Sequence, residues 1–204
     1  MAALETLGFV LGTAFASGLN LYATIAALGL LHRYDAIHLP STLEVLSHPV
    51  VLIVAIALYA IEFVADKIPY VDNIWDMAHT FIRPPAAALL AYSAFGEVSE
   101  GWSLAAALLA GGVALTSHGT KASTRVAVNA SPEPFSNSIV SLTEDGIALG
   151  LTWLAGAYPV LAFGLVLALV ALSAYLIYRF FGLLRKTLRR MLSRPSTDAP
   201  FRGV

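Results

Sequence analysis

The chain has 204 residues, of which 58% are hydrophobic and only 12% charged, with a formal net charge of -1. Soluble domains carry about a quarter charged residues, so this composition, with a mean hydropathy of +0.75, belongs to the membrane class. There is no cysteine, which excludes disulfides, zinc thiolate centres and thiol chemistry.

The opening run MAALETLGFVLG lacks a basic flank and enters a long apolar segment. It reads as a first membrane helix rather than a cleaved leader. The first expected span covers residues 7–31, long enough for a bilayer at about 1.5 Å per residue. On a continuous helix Ser17, Asn20 and Thr24 share one face, and Ala16, Ser17 and Gly18 permit close backbone approach. That face serves helix packing, or it turns Asn20 to a polar cavity. Residues 32–48 form a polar loop with Pro40 and a short interfacial piece, STLEVLSH.

The second span is expected over 49–65, with Tyr59, Glu62 and Asp66 as a polar stripe at its far end. The stretch from Asp66 to Pro85, DKIPYVDNIWDMAHTFIRPP, then concentrates charge between two apolar segments. It opens a third span, from 73 or 74 to 95, that carries Asp76, His79 and Arg83 at i, i+3 and i+7. Proline lacks a backbone donor and restricts the residue before it. A break is therefore expected at Arg83–Pro85, with a half-helix starting at Pro84 or Pro85.

The acidic turn GEVSEG occupies 96–101, and a fourth span follows over 102–117. Its helical pattern continues with His118, Lys121 and Arg125 on one face and Asn129 a turn beyond, before Pro132 and Pro134. A fifth span over 135–157 contains Glu144 and Asp145, and intramembrane carboxylates face a cavity or a partner. The sixth, 159–181, is cleanly apolar until Arg179. Arg185, Lys186, Arg189, Arg190 and Arg194 make the tail basic, which reads as a cytoplasmic orientation signal and not as a nucleic-acid site.

The expectation is an all-α integral membrane protein of about six spans, with both termini cytoplasmic. One transmembrane domain covers 1–188, followed by a disordered basic tail over 189–204. Halves at 1–97 and 98–188, three helices each, would insert in opposite orientations, as inverted repeats do. The topology gathers the charged ends of spans two to five at one depth, where they line a cavity or simply pair as salt bridges.

The motifs ASGLNLYAT (16–24), IPYVDNIWDMAHTFIRPPAAALLA (68–91) and SPEPFSNSIVSLTEDG (131–146) resemble a bacterial family of small multipass membrane proteins, domain of unknown function family 4126. The resemblance implies an inner-membrane protein and supplies no reaction, substrate or functional residue.

The leading functional expectation is a small secondary transporter of a small or amphipathic, anionic solute. Asn20, Asp76, His79, Arg83, Lys121 and Arg125 would bind the solute, and Glu62, Asp66, Glu144 and Asp145 a coupling proton or sodium ion. The alternatives are a divalent-cation transporter using Asp72, Asp76 and His79, a non-catalytic scaffold, and a lipid-headgroup enzyme with His79 as acid/base. The last has no HExxH, GxSxG or phosphate-loop motif to support it. No cofactor, metal site or catalytic residue is expected; the partners are the lipid bilayer, a small molecule or ion, and further copies of the chain.

Overall fold

Small residues set the centre of the fold. The computed structural model describes residues 3–95, 100–130 and 134–192. Within them α1 (Ala3–Leu19) packs against α5 (Arg83–Ala94), α6 (Glu100–Asn129), α7 (Pro134–Ala157) and α8 (Pro159–Leu192). Neighbours come so close to α1 that side chains have no room. A Cβ on Gly8 would sit 1.9 Å from the Pro159 carbonyl oxygen, and one on Gly18 would sit 2.3 Å from that of Ala114. The bulky residues between these glycines, Phe9, Val10, Leu11 and Phe15, form the apolar core with Ala110 and Ala114 of α6, Leu151 of α7 and Val166 of α8. The remaining helices are α2 (Leu21–Arg33), a 3-10 turn (Ser41–Ser47), α3 (Pro49–Ala65) and α4 (Val71–His79). No strand occurs among the described residues, so the fold class is all-α.

Two of the expected spans are split. The first span breaks at Asn20, whose extended backbone (φ -149°, ψ 101°) ends α1 and whose side chain caps α2 by accepting from the Ala23 amide. Asparagine favours this role because its side-chain oxygen satisfies an orphan amide. The third span also breaks, but one turn upstream of the expected Arg83–Pro85. Turn residues occupy 80–82, and Arg83 is already the first residue of α5. The reason lies in hydrogen-bond direction. A residue donates to the carbonyl four positions earlier, so Pro84 and Pro85 cannot engage Thr80 and Phe81. The damage falls on the preceding turn, where Phe81 and Ile82 donate instead to the third residue back. The prolines fit in the first turn of α5, where their missing donors have no intrahelical use.

The second half is unlike the first: α6, α7 and α8 run unbroken for 30, 24 and 34 residues. The breaks therefore have no counterparts there, and this departs from the inverted-repeat expectation. Helix α8 also passes through the expected domain boundary at 188, reaching Leu192. Most of the 96–101 turn, Pro132, Arg194 and the end of the basic tail lie outside the described residues.

The distribution of polarity is inverted relative to a water-soluble bundle. Ile53 (67% exposed), Leu89 (68%), Leu108 (72%) and Leu161 (64%) face outward, while Glu62, Arg83 and Arg125 are fully enclosed. Buried ionic groups around a small-residue core, under an apolar exterior, are the reverse of the usual arrangement. By length and apolarity, one described helix suffices to cross a membrane, the Pro159–Arg189 part of α8. The 3-10 turn and α3, bent by 64°, make a second if taken together. The count of six is not reached on these grounds: Gly, Ser, Thr and His dilute the apolarity of the uncharged run in α6, Glu144 and Asp145 interrupt α7, and the remaining segments are short.

Candidate functional site

The break at Asn20 leaves the last carbonyls of α1 without helical donors, and cations from other helices fill the gap. Arg83 Nη1 donates to Gly18 O at 3.1 Å, and Lys121 Nζ donates to Leu19 O at 3.1 Å. A helix C-terminus carries partial negative charge, so both cations gain there. Asn20 Nδ2 then donates to Asp145 Oδ1 at 2.9 Å, tying the break to α7.

Around this break the charges of α3, α4, α5, α6 and α7 close into one network. Lys121 is its hub, with Asp66 at 2.6 Å, Glu62 at 3.4 Å, Asp76 at 3.8 Å and Glu144 at 3.9 Å. Arg83 meets Glu62 at 2.7 Å and Asp76 at 3.5 Å. Arg125 meets Glu144 at 2.6 Å, Asp66 at 3.5 Å and Asp72 at 3.7 Å. Arg125 also donates to Asn137 Oδ1 at 2.7 Å and to the Asp66 carbonyl at 2.7 Å. Asn129 closes the far end by donating to both oxygens of Asp72. Lys67, at the margin, turns to the Phe63 carbonyl and Ser141 Oγ.

The charges do not balance. Glu62, Asp66, Asp72, Asp76, Glu144 and Asp145 are six buried carboxylates against three buried cations, Arg83, Lys121 and Arg125. Five carboxylate oxygens are sealed without a hydrogen-bond donor: Glu62 Oε2, Asp66 Oδ1, both of Asp76, and Asp145 Oδ2. Uncompensated buried charge is costly, so the excess calls for protons or cations.

Two histidines adjoin the network through defined tautomers. Arg83 Nη1 lies 2.8 Å from His118 Nδ1 and can only donate, so Nδ1 accepts and His118 is neutral. Its proton belongs on Nε2, which faces Thr80 Oγ1 at 2.9 Å and the Asp76 carbonyl at 3.1 Å. The Trp75 carbonyl, 2.7 Å from His79 Nδ1, can only accept, so Nδ1 donates there, and Nε2 lies 3.0 Å from the Tyr22 hydroxyl. Among the described residues no group of three or more His, Cys, Asp or Glu side chains is arranged to hold a metal ion.

The sequence profile of a domain of unknown function, DUF4126, matches residues 7–179. The chain belongs to this family. No curated protein and no solved structure matches it. The DUF4126 region contains the whole charge network, whereas the exposed Arg185, Lys186 and Arg189 of α8 lie beyond it.

All ten residues singled out from the sequence are buried: Asn20, Glu62, Asp66, Asp76, His79, Arg83, Lys121, Arg125, Glu144 and Asp145. Shared oxygens join the cations, since Arg83 and Lys121 both meet Glu62 Oε1, and Lys121 and Arg125 both meet Glu144 Oε2. His79 stands slightly apart, stacked on Trp75 with ring centroids 4.6 Å apart. Arg83, Lys121 and Arg125, expected to bind an anionic solute, are each engaged by carboxylates of the chain. Sequence reasoning overlooked Asn137 and the free carbonyls of Gly18 and Leu19. Asn137 was legible, since Asn137, Ser141 and Glu144 recur at i, i+4 and i+7 on α7. The carbonyls were not, since nothing in the side-chain pattern of residues 7–31 marks a break.

Proposed function

We propose that this chain is a multipass inner-membrane protein and a proton-coupled secondary transporter, with the buried carboxylates holding the exchangeable protons. The apolar exterior supports the membrane reading. In water that exterior would cost free energy and the buried ions would gain nothing from their enclosure. The split helices α1–α2 and α4–α5 fit the same reading, since transporters place ion sites at helix breaks.

The observation that carries proton coupling is the excess of six carboxylates over three cations, with five oxygens lacking donors. A low-dielectric cluster of that composition approaches neutrality by binding protons. The solute is therefore not read as anionic. The test is an infrared spectrum of the protein in lipid at neutral pH. Protonated carboxyl groups should give a carbonyl band that shifts in heavy water and weakens in Asp76→Asn. Proteoliposomes loaded with a pH-sensitive dye should show proton movement that the same variant loses. Full ionisation of the carboxyls, together with no proton movement, would overturn the proposal.

A second reading, a membrane scaffold, is favoured by the ion pairs that engage Arg83, Lys121 and Arg125 within the chain. It expects the same stability from the network but no proton movement.

A further inference from the structure

A groove of about 330 Å³ runs between α1, α6, α7 and α8. Its walls include Phe15, Ile139, Leu169 and Leu172, and Lys121 and Glu144 also line it. The rim is open to the outside, with Ile139 49% and Leu172 51% exposed. Glu144 is the network carboxylate with the most accessible side chain among those ion-paired, 11% against 0–2% for Glu62, Asp66, Asp72 and Asp76. Both cations meet it through Oε2, so Oε1 takes part in neither contact. An apolar slot thus leads from the outer face to the edge of a cluster with excess negative charge. Glu62, Asp66 and Asp76 are ion-paired, yet each keeps a sealed oxygen that accepts no hydrogen bond within the chain.

We infer that the groove admits an amphiphilic monovalent cation, an ammonium group on an apolar chain, and seats its charge at Glu144. The apolar chain gains by burial along the groove. The ammonium brings positive charge and N–H donors to a cluster in which carboxylates are in excess. An anionic head would meet carboxylates, because Lys121 already has four of them within ion-pair distance. This rests on the proton-coupled reading and names its substrate class. When the ammonium arrives, one carboxyl O–H of the cluster releases its proton to water, and the charge of the cluster is unchanged.

The experiment uses the purified full chain in lipid nanodiscs with decylammonium, decyl sulfate or decanol, reading Tm and the infrared carboxyl band together. A ligand bound to the folded state raises Tm. Decylammonium should raise it by a few degrees and diminish the protonated-carboxyl band, while the other two amphiphiles do neither. Glu144→Gln should abolish the effect. So should Leu172→Trp, which fills the exposed rim without touching the charge network and decides the matter if the first variant does not fold. Equal stabilisation by decanol or decyl sulfate, or a decylammonium effect that survives Leu172→Trp, overturns the groove assignment. With the carboxyl band present in untreated protein, that failure concerns the groove alone. Absence of the band before any ligand is added overturns the proton reading beneath it.

Discussion

At the scale of single residues, the network makes removal more damaging than replacement in pairs. Arg125 meets Glu144 at 2.6 Å, both away from solvent. Arg125→Ala should cost about 3–5 kcal/mol, because it leaves an uncompensated carboxylate in a dry site. Arg125→Leu combined with Glu144→Leu should cost clearly less than the sum of the two single changes. Thermal unfolding of the four proteins in detergent measures the coupling, and simple additivity would show that the pair does not act as a unit. Arg83 is a stricter case. Its fork reaches Glu62, His118 and the Gly18 carbonyl together, and lysine cannot reproduce that planar geometry. Arg83→Lys should therefore lower Tm even though the charge is kept; an unchanged Tm would mean that charge alone suffices.

At the scale of elements, the two breaks have different causes and should respond differently to substitution. Asn20 both caps α2 and holds Asp145. Asn20→Ala removes the cap, worth about 1 kcal/mol, and also strips a donor from a buried carboxylate, so the loss should exceed that of a cap alone. Pro84 occupies the first turn of α5, where its missing donor is not needed. Pro84→Ala should thus change Tm by less than Asn20→Ala does. A reversed order would place the structural weight on the proline turn. Gly18→Ala tests the close crossing of α1 and α6. Its Cβ would meet the Ala114 carbonyl at 2.3 Å, a backbone atom that cannot swing aside, so marked destabilisation is expected in the same assay. The prolines were legible in the sequence because proline announces its missing donor. The Asn20 break was not, because an asparagine in an apolar run serves equally as a packing residue or as a cap.

At the scale of the whole molecule, an apolar exterior over an ionic interior makes lipid the natural solvent of the proposed protein. It should stay with membranes through an alkaline wash and require detergent for extraction, as a fractionation experiment would show. The proposed cytoplasmic placement of the C-terminus rests on the positive-inside rule applied to Arg185, Lys186 and Arg189. Asp198→Cys should resist a membrane-impermeant thiol reagent in intact cells, and labelling there would invert the proposed topology.

Composition, the long apolar runs and the helical spacing of charges were sufficient to establish an all-α chain and to nominate the residues that share its buried network. These properties are local: hydropathy is a sum over neighbours, and a helix face is fixed by a period of about 3.6 residues. The acid–base balance of the cluster was a different matter. A count along the chain does not say which carboxylates are enclosed, nor which carbonyls a break sets free for Arg83 and Lys121. Only the packing of α3 to α7 around the split between α1 and α2 decided that all three buried cations are engaged and the carboxylates are in excess. The physical reason is that desolvation and pairing depend on atoms brought together from distant parts of the chain, and only the tertiary structure brings them together.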